Sequence, residues 1–300
     1  MNIQMAKKVF FIFNPLSGKG TIKSKLFEIV NFITAKGFEV TVYPTQGKLD
    51  AKNTISKKGK SYDIVILCGG DGTLNEGVRG MLSLPKEKRP VLGYVPMGST
   101  NDFALSLGLP KTTMKAIGNI FTGKEFNCDI GRFCSDYFVY VAAFGAFTDV
   151  AYGTPQQAKN VLGHMAYILE GLKRLPTICS YDMKVIYDRI VIEDKFIFGM
   201  ISNSFSVGGV QRYKKEDACL DDGIFECVFV KNPENPIEIQ SIITGLMMQD
   251  FTAKEFYFFK AEKMRIECNE DVSWTLDGEF GGIHQVVEIE NMHKELGIIV

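Results

Sequence analysis

The chain contains little histidine and tryptophan, and its net charge is close to zero. Its 300 residues include three histidines, one tryptophan, 34 basic and 35 acidic side chains, which gives a formal net charge of −1. This balance argues against a nucleic-acid-binding protein, because such proteins usually carry a basic surplus. No apolar run approaches the length of a membrane-spanning helix, and no secretory hydrophobic segment begins the chain. We therefore expect a cytoplasmic protein that binds no nucleic acid.

The seven cysteines are scattered along the chain, and no two of them have CxxC spacing. An odd number without such a pair is typical of free thiols, and it argues against both a disulfide framework and a zinc site. The histidines also lack metal-ligand spacing, so we expect structural or surface roles for His164, His284 and His293.

The first part of the sequence alternates strand and helix patterns. Continuous apolar strands with helices between them predict an α/β domain with a parallel sheet covered on both faces. Ligands of such sheets bind beyond the carboxyl ends of the strands. The predicted strands are Val9–Phe13, Phe38–Tyr43, Ile64–Cys68 and Val91–Val95, and the predicted helices are Thr21–Lys36, Lys48–Lys58, Thr73–Leu82 and Met114–Phe121.

The pattern changes near Phe126, where strands follow one another with short turns. Phe126–Cys134 and Tyr137–Gly145 are predicted to pair, with Ser135-Asp136 as the turn. Sequential strands are typical of an antiparallel sandwich or barrel. We expect an α/β domain of residues 1–123 and a β-rich domain of residues 124–300, whose C-terminal tail could pack back on the first. The further predicted strands are Ile178–Tyr187, Phe196–Ser202, Gly223–Val230, Phe256–Phe259, Met264–Glu267 and Val286–Glu290.

Two predicted helices interrupt these strands, Pro155–Leu175 and Pro236–Met248. Both have apolar residues at helical spacing. The plain interpretation of Pro155–Leu175 is a helix packed on the second domain. The alternative is that this helix, with Lys159, Lys173 and Arg174, helps to face a membrane or a lipid.

The most informative segment is the glycine-rich turn Cys68–Thr73, which lies between a predicted strand and a predicted helix. Glycines let the backbone approach a ligand closely, and a helix N-terminus offers N–H groups and a positive dipole end that suit phosphate. Asp71 adds a carboxylate that could hold Mg²⁺ through water or bind a ribose hydroxyl. A plain tight turn is the alternative.

Two companion loops favour a nucleotide site. Asn14–Gly20 follows the first strand and again combines glycine with serine, although it lacks the GxxxxGK[ST] spacing of a P-loop. Pro96–Phe103 follows the fourth strand, with hydroxyls at Ser99 and Thr100. Asn101 or Asp102 can cap the next helix, and capping is the plain role of Asp102. Three such loops at neighbouring strand ends could build one nucleotide site.

In this order, the segments resemble the catalytic domain of diacylglycerol kinases, above all the soluble bacterial lipid kinases that are grouped with sphingosine kinases. The glycine-rich element alone is shared with NAD kinases, whereas the ordered set is more specific and runs the whole length of the chain. The matching motifs are Asn14-Pro15, Ser17-Gly18, Gly69–Thr73, Asn75-Glu76, Pro96, Gly98, Asn101–Ala104, Asn203, Gly208-Gly209, Asp217-Ala218, Leu220–Gly223 and Leu276–Glu279.

The resemblance implies an α/β nucleotide-binding domain, a β-rich second domain, and ATP in the cleft between them, with Mg²⁺ as a cofactor. Ser99 stands where many relatives have threonine, so the hydroxyl is kept. The residues that the resemblance implies for ATP binding are Asn14, Pro15, Ser17, Gly18, Thr45, Gly69, Gly70, Asp71, Gly72, Thr73, Asn75, Ser99 and Thr100.

Asp277-Gly278-Glu279 follows an apolar segment that ends at Leu276. Two carboxylates two residues apart point to one side of an extended backbone, where one can accept a proton and the other can orient the acceptor or a metal. The alternative from the residues alone is a turn in which Asp277 bonds its own backbone. The resemblance implies that Asp277 and Glu279 are the catalytic carboxylates, and it leaves their order open.

The plain interpretation of Asp221-Asp222-Gly223 is a turn before a predicted strand. Acids in a turn can also bind a hard cation together with backbone carbonyls. The resemblance implies a structural Mg²⁺ held by Asp222 and by main-chain oxygens at Cys219 and Ile224. The usual proline of the family in this segment is replaced by Glu216.

These features predict an ATP- and Mg²⁺-dependent lipid kinase that phosphorylates a lipid hydroxyl, with diacylglycerol as the favoured acceptor and phosphatidic acid as the product. Other lipid alcohols stay open, because acceptor choice lies in the second domain. One rival is an NAD kinase, which leaves Asn14–Gly18 and the Asp277/Glu279 pair unexplained. The other is a non-catalytic lipid- or nucleotide-binding protein. We expect peripheral contact with the inner face of the membrane, and the resemblance suggests a homodimer.

Overall fold

The structure is a computed structural model, and it describes residues 7–145, 179–203, 206–207, 210–211, 219–248 and 250–300. The chain divides into two compact units, Met1–Cys128 with Lys294–Val300, and Asp129–His293. The predicted helix Pro155–Leu175 lies outside the described residues. Outside them also lie Lys159, His164, Lys173, Arg174, Gly208-Gly209, Glu216 and Asp217-Ala218.

The first unit is built on a parallel sheet. Its strands are β1 (Lys8–Phe13), β2 (Glu39–Pro44), β3 (Ile64–Gly69) and β4 (Val91–Pro96), and its helices are α1 (Ile22–Ala35), α2 (Asp50–Lys58), α3 (Asp71–Leu82), α4 (Asp102–Ser106) and α5 (Thr113–Ile120). The strands pair in parallel in the order β2-β1-β3-β4. β1, β3 and β4 are almost fully buried, as strands covered on both faces must be.

A hydrophobic core fixes the helices of the first unit to its sheet. Ile29 and Ile33 of α1 are one helical turn apart, and they pack with Phe11 of β1, Ile66 of β3 and Ile117 of α5. All five side chains are fully buried. Because burying one such side chain stabilises a fold by roughly 1.5–3 kcal/mol, this core is a firm base for the loops at the strand ends.

The end of the chain completes the first unit. The last strand, Glu279–Ile299, begins in the second unit and ends in the first. Its residue Ile298 lies opposite Leu92 of β4 in parallel register. Lys124 and Val300 exchange both main-chain hydrogen bonds, at 3.0 and 2.9 Å. The edge of the sheet at β4 is therefore paired instead of exposed.

An ion-pair cluster fastens this C-terminal segment. The Glu295 carboxylate lies 2.7 Å from Arg89 Nη1 and 2.7 Å from Lys86 Nζ. The side chains of Arg89 and Glu295 are only 12% and 14% exposed, so water screens this pair weakly. Burial alone would raise the pKa of Glu295, but hydrogen bonds from Lys86 and Arg89 outweigh burial and hold the pKa below its ordinary value of 4.5.

We expect Glu295→Gln to lower the free energy of unfolding at neutral pH by about 2 kcal/mol, because Arg89 loses its partner at a shielded site. Since the pKa of Glu295 is lower in the folded than in the unfolded chain, the pair stabilises the fold above pH 4.5, and this stabilisation is lost as the pH falls through the folded-state pKa. Thermal unfolding at neutral and acidic pH, with exposed Glu87→Gln as the control, measures both effects. Equal melting temperatures for Glu295→Gln and wild type at neutral pH would contradict the prediction.

The second unit is rich in antiparallel strands. Its elements are β5 (Glu125–Phe133), β6 (Asp136–Phe138), β7 (Val141–Gly145), β8 (Tyr181–Tyr187), β9 (Ile190–Ser202), β10 (Ser206–Val207), β11 (Val210–Gln211), β12 (Phe225–Lys231), α6 (Pro236–Met248), β13 (Phe256–Ala261), β14 (Lys263–Leu276) and the first part of β15 (Glu279–Ile299). The order is β13-β12-β9-β7-β14-β15, while β8 pairs with β9 and β14, and β5 pairs with β6 and β15. The core contains Trp274, whose ring lies 5.0 Å from that of Phe133 and 4.9 Å from that of Phe144.

The predicted strand Tyr137–Gly145 is wrong, because the chain breaks at Val139 and Tyr140. β6 pairs with β5, whereas β7 pairs with β9 and β14. The turn before β6 lies at Cys134 and Ser135, one residue earlier than predicted. The break has a long-range cause, since the N–H groups of Val139 and Tyr140 donate to the carboxylate of Asp277 instead of to a neighbouring strand.

Several strands of the second unit are longer than predicted. β9 starts six residues before Phe196, and β14 runs on from Glu267 to Leu276 across an irregularity in its pairing with β15. In the added segments polar and apolar residues alternate, or one face is exposed. These segments therefore lack the continuous run of apolar residues from which the strands were predicted. Apart from the β10–β11 pair, these strands join in one hydrogen-bonded sheet, in which β9 and β14 each pair with both β7 and β8.

Within the described ranges, no helix is long and apolar enough to cross a membrane. The seven cysteines are free thiols, and Cys68, Cys128, Cys227 and Cys268 are buried. Burial raises the pKa of the Cys68 thiol to about 12, so this thiol is uncharged at neutral pH.

Candidate active site

Three loops meet at the carboxyl ends of β1, β3 and β4. Asn14, the residue after β1, donates its N–H to the carbonyl oxygen of Cys68 at 3.0 Å. Met97, the residue after β4, donates its N–H to the carbonyl oxygen of Gly69 at 2.8 Å. The glycine-rich loop after β3 therefore lies between the other two, as parallel neighbours require.

Glycine lets these loops approach one another. A Cβ atom at Gly98 would lie 2.7 Å from Cα of Gly70 and 2.8 Å from Oδ1 of Asn101. Gly18 has a φ of +57°, and a Cβ atom there would lie 3.1 Å from Cε of Met97. A side chain at Gly98 or Gly18 would push the loops apart, so the close approach depends on glycine.

Asp71 ties the second loop to the third. Its Oδ2 accepts the N–H of Asn101 at 2.9 Å. Asn101 has a φ of +56°, and it bonds Gly98 twice, through Oδ1 to the Gly98 N–H at 2.7 Å and through Nδ2 to the Gly98 carbonyl oxygen at 2.9 Å. Asp71 also begins α3, where a negative charge interacts favourably with the helix dipole. The carboxylate that was predicted to bind Mg²⁺ or a ribose hydroxyl is thus held in place by the third loop.

The residues predicted to bind ATP differ in exposure. Thr73 and Asn75 are 9% and 3% exposed, and Thr73 packs against Gly69, where an added Cβ atom would lie 2.5 Å from Oγ1 of Thr73. Thr73 therefore supports the loop from beneath, while Asn75 is buried within α3. Thr45 donates its N–H to the carbonyl oxygen of Phe13 at 2.9 Å, which places it next to the first loop. The predicted residues with accessible surface are Asn14, Pro15, Ser17, Gly18, Thr45, Gly70, Asp71, Gly72, Ser99 and Thr100.

Asp102 and Tyr94 lie buried under the loops. Asp102 is the first residue of α4 and is 2% exposed, so of the two predicted cap residues it is Asn101 that takes the N-cap position. The hydroxyl of Tyr94 donates to the carbonyl oxygen of Gly69 at 3.2 Å. Burial raises the pKa of Tyr94 well above its ordinary value, and the charges of Asp71 and Asp102 raise it further. Tyr94 therefore stays protonated and keeps its bond to the loop.

Glu76 has a structural role that the motif alone did not indicate. Its carboxylate accepts the N–H groups of Leu49 and Ala51, at 2.7 and 3.3 Å. It thereby satisfies N–H groups at the start of α2, where Leu49 has a φ of +64°. Glu76 links α3 to the start of α2.

In the second unit, Asp277 and Gly278 form a two-residue turn between β14 and β15. Their φ values are +52° and +80°, and Leu276 pairs with Glu279 across the turn. Positive φ at both positions is the type I′ geometry that Asp-Gly favours in hairpins. The backbone is therefore not extended here, so the argument that placed both carboxylates on one side does not apply.

The carboxylate of Asp277 accepts three main-chain hydrogen bonds. Val139 donates to Oδ2 at 2.7 Å, and Tyr140 and Val141 donate to Oδ1 at 2.9 and 3.1 Å. The side chain is 4% exposed, so these bonds form away from water. The main chain of Asp277 is also held, since its N–H donates to the carbonyl oxygen of Val141 at 2.8 Å. Asp277 thus lies in a turn, as the plain alternative predicted, and its carboxylate oxygens also bind the segment between β6 and β7.

Glu279 lies at the other end of the turn, as the first residue of β15, and its side chain is exposed. The two carboxylates of the motif thus have different environments. Asp277 is buried and engaged by three N–H donors, whereas Glu279 faces solvent. A group that exchanges a proton with a substrate must be accessible, so this site favours Glu279 as the proton acceptor and Asp277 as the residue that fixes the turn.

Asp129 positions the loop that was predicted to hold a cation. It is fully buried, its N–H donates to the carbonyl oxygen of Leu220 at 2.7 Å, and its Oδ2 accepts the N–H of Gly223 at 2.6 Å. The Asn203 side-chain amide donates to the carbonyl oxygen of Asp129 at 2.8 Å. Asp129 is not among the predicted site residues. The sequence did offer one signal, which is an acid inside the predicted strand Phe126–Cys134.

The loop Cys219–Ile224 carries the residues predicted to hold Mg²⁺. Oδ1 of Asp222 accepts the N–H of Ile224 at 3.0 Å, and Gly223 has a φ of +79°. One carboxylate and two main-chain oxygens form the hard oxygen set that Mg²⁺ prefers. In the described part of the chain, no three His, Cys, Asp or Glu side chains cluster as metal ligands. A cation here would therefore depend on main-chain oxygens and water.

Negative charge accumulates around this loop. Glu226 is 1% exposed, its Oε1 forms an ion pair with Lys260 Nζ at 2.9 Å, and its Oε2 has no hydrogen-bond partner among the described residues. The loop itself carries two acids, Asp221 and Asp222. A buried carboxylate oxygen without a partner, beside two more acids, fits a cation at this loop.

Comparisons with known proteins show which proteins this chain is similar to. The family model of the diacylglycerol kinase catalytic domain matches residues 8–133. The diacylglycerol kinase of Bacillus subtilis strain 168 is 29% identical over 98% of this chain and 96% of its own length. The diacylglycerol kinase of Staphylococcus carnosus strain TM300 is 35% identical over 93% of this chain and 90% of its own length.

A solved structure shares the fold. The crystal structure of a putative diacylglycerol kinase from Bacillus anthracis strain Sterne has a TM-score of 0.81 and 26% identity, and the match covers 100% of this chain and 97% of that chain. The likeness confirms the predicted two-part architecture with a β-rich second part. The resemblance inferred from the ordered loops is also confirmed, and the chain belongs to the diacylglycerol kinase family of lipid kinases.

Proposed function

We propose that this lipid kinase transfers the γ-phosphoryl group of ATP to the free hydroxyl of diacylglycerol and forms phosphatidic acid. The observation that carries the proposal is the Asp277–Glu279 turn, in which a buried carboxylate anchors the hairpin and an exposed carboxylate follows it. A non-catalytic nucleotide-binding protein has no need of such a pair. The named relatives support diacylglycerol as the acceptor.

In the proposed reaction, Glu279 is the general base. The hydroxyl proton of diacylglycerol passes to its carboxylate as the hydroxyl oxygen bonds to the γ-phosphorus. The bond between the γ-phosphorus and the bridging oxygen breaks, and ADP leaves with that electron pair. Asp277 holds the turn through its bonds to Val139, Tyr140 and Val141, so that Glu279 stays in place. Positioning and charge stabilisation do most of the work in such transfers.

The three joined loops of the first unit are the proposed ATP site. Gly70 and Gly98 keep the loop backbones close together, and the N-terminus of α3 at Asp71 offers N–H groups and a positive dipole end to phosphate. Asn14–Gly18 lies beside them, joined by the bond from Asn14 to Cys68. Thr45, Ser99 and Thr100 add hydroxyl groups around the loops. The side chain of Thr73 packs against Gly69 and supports the site from beneath.

A divalent cation fits the loop of the second unit. Asp222 and the main-chain oxygens of Cys219 and Ile224 would hold it, and Asp129 fixes the loop through Gly223. Bound Mg²⁺ would supply positive charge that offsets the charge of nearby carboxylates and phosphates. Asp71 is a second proposed contact for Mg²⁺, through water.

We expect Gly98→Ala to weaken ATP binding by on the order of 10- to 100-fold, because overpacking this close contact costs about 1–3 kcal/mol and moves the loops apart. The added methyl group would lie 2.7 Å from Cα of Gly70, where only backbone can give way. Calorimetric titration with a non-hydrolysable ATP analogue measures the change. Gly118→Ala is the matched control, since a Cβ atom there meets nothing within 4 Å. Unchanged affinity in Gly98→Ala would contradict the proposed site.

Transfer of labelled γ-phosphate from ATP to diacylglycerol in mixed micelles tests the proposed function. Sphingosine, phosphatidylglycerol and NAD serve as parallel acceptors. We expect label in phosphatidic acid, with more product from diacylglycerol than from the other lipids. Label in NADP would favour the NAD kinase alternative. No label in any acceptor, with ATP still bound, would favour a binding protein without transfer chemistry.

We also propose reversible docking of the protein on membranes, since its lipid acceptor resides there. Two large apolar side chains beside the catalytic turn support this, because Phe280 and Ile283 are 57% and 59% exposed. They pair with Thr275 and Ser273 of β14, so they share one face of the sheet despite their odd spacing. Co-sedimentation with anionic liposomes and Mg·ATP checks the docking, and a protein that does not co-sediment under these conditions would contradict the docking proposal.

Light scattering in solution tests for the homodimer.

A further inference from the structure

Glu226 is a buried carboxylate that the proposed transfer chemistry does not use. It is the second residue of β12, and its neighbours Phe225 and Cys227 face the hydrophobic core of the second unit. Glu226 therefore points to the opposite face of the sheet. Across the sheet it lies opposite Ser202 of β9 and Lys260 of β13. Although this face lies away from the core, Glu226 is only 1% exposed.

The negative charge of Glu226 is incompletely compensated. Burying an ionised carboxylate is unfavourable unless it is both paired and hydrogen-bonded. Lys260 Nζ lies 2.9 Å from Oε1, but the side chain of Lys260 is 47% exposed, so water shares its charge. Oε2 has no hydrogen-bond partner among the described residues. One oxygen of a buried anion is thus left without a protein donor in the part of the chain that the structure describes.

Glu226 is close enough to the loop Cys219–Ile224 to interact with its charge. Only Phe225 separates it from Ile224. The negative charge of Asp222 in the loop acts on the Glu226 carboxylate. The two carboxylates therefore repel each other, and a cation at the loop would relieve the repulsion and compensate both.

We propose that Glu226 is a positioning residue for a divalent cation at this loop. It does not ligate the ion; its buried charge raises the affinity of the loop for the ion, and Lys260 acts as the competing positive charge. The inference rests on the cation site of the proposed function. It assigns a role to a residue outside the ligand set of Asp222 and the main-chain oxygens.

Mn²⁺ is a suitable probe, because it shares the preference of Mg²⁺ for oxygen ligands and has an electron paramagnetic resonance signal. Free Mn²⁺ is titrated with the full-length protein without ATP. We expect Glu226→Gln to weaken Mn²⁺ binding by about 10-fold, the order of magnitude for removing one charge several ångströms from a bound ion. Lys260→Met should tighten binding several-fold, and Asp222→Asn should weaken it most. Weaker binding in Glu226→Gln together with tighter binding in Lys260→Met would indicate an effect of charge, because a loss of structure would weaken binding in both variants.

A second readout uses stability. Addition of Mg²⁺ should raise the melting temperature of the wild type, and the rise should shrink in Glu226→Gln and grow in Lys260→Met, because binding to the folded state stabilises it by mass action. Exposed Glu262→Gln is the matched control and should behave as the wild type. Weaker binding in Asp222→Asn with wild-type binding in Glu226→Gln would overturn the inference and leave the cation site intact. Wild-type binding in Asp222→Asn would overturn both.

Discussion

Replacing Glu279 with glutamine is expected to lower kcat for phosphoryl transfer by about 10²–10⁴-fold, the usual contribution of a general base. The amide keeps the size of the side chain and can still accept a hydrogen bond, but it cannot take up the hydroxyl proton. Since Glu279 is exposed, the variant should keep its fold and its affinity for ATP. The expected signature is therefore a large fall in kcat with an unchanged melting temperature.

The control for this prediction is Glu270→Gln, because Glu270 is also exposed and lies on the preceding strand β14. Initial rates of phosphatidic acid formation at saturating ATP compare the three proteins. A Glu279→Gln variant with the kcat of wild type would show that another group accepts the proton. A parallel fall in kcat for Glu270→Gln would instead indicate a general effect of charge on this hairpin.

The roles of Asp277 and Glu279 could not be separated from the sequence. Asp-Gly-Glu contains two acids of the same chemistry, and no local pattern tells which one is buried. The difference comes from Val139, Tyr140 and Val141, which are more than a hundred residues away and whose N–H groups converge on Asp277. Such contacts depend on tertiary packing, so only the structure distinguishes the two carboxylates.

The first unit could be predicted well, because its signals are local. β3 lies within a continuous apolar run, and its helices have apolar residues at helical spacing, so the observed bounds differ from the predicted ones by no more than two residues. The convergence of the three loops follows from parallel pairing alone. What the sequence could not indicate is the closeness of Gly70 and Gly98 or the bond from Asn101 to Asp71, since both depend on the conformation of the loops.

The second unit was predicted less well, because its strands are defined by partners that are distant in sequence. The break between β6 and β7 falls within an apolar stretch and arises from the carboxylate of Asp277. The role of Asp129 likewise depends on Gly223, which lies beyond several strands in the chain. In both cases one buried acid accepts hydrogen bonds from main-chain N–H groups of another segment. The spacing of apolar residues does not predict such bonds.

Asp277→Ala is expected to lower the free energy of unfolding by about 3–9 kcal/mol, because each buried N–H group that loses its acceptor costs about 1–3 kcal/mol. Three such groups, from Val139, Tyr140 and Val141, would lose their partner. Asp277→Asn should have a smaller effect, since the amide oxygen can still accept while its NH₂ group faces a donor. Urea unfolding measures the changes, with exposed Asp271→Ala as the control.

Activity then distinguishes a structural role of Asp277 from a chemical one. If Asp277 only fixes the turn, the activity of Asp277→Asn should follow its folded fraction and recover at temperatures where the variant is folded. The activity of Glu279→Gln should not recover, because its defect lies in proton transfer. A fully folded Asp277→Asn with a kcat as low as that of Glu279→Gln would show that Asp277 takes part in the chemistry. Because three N–H donors already engage both oxygens of Asp277, we expect the first outcome.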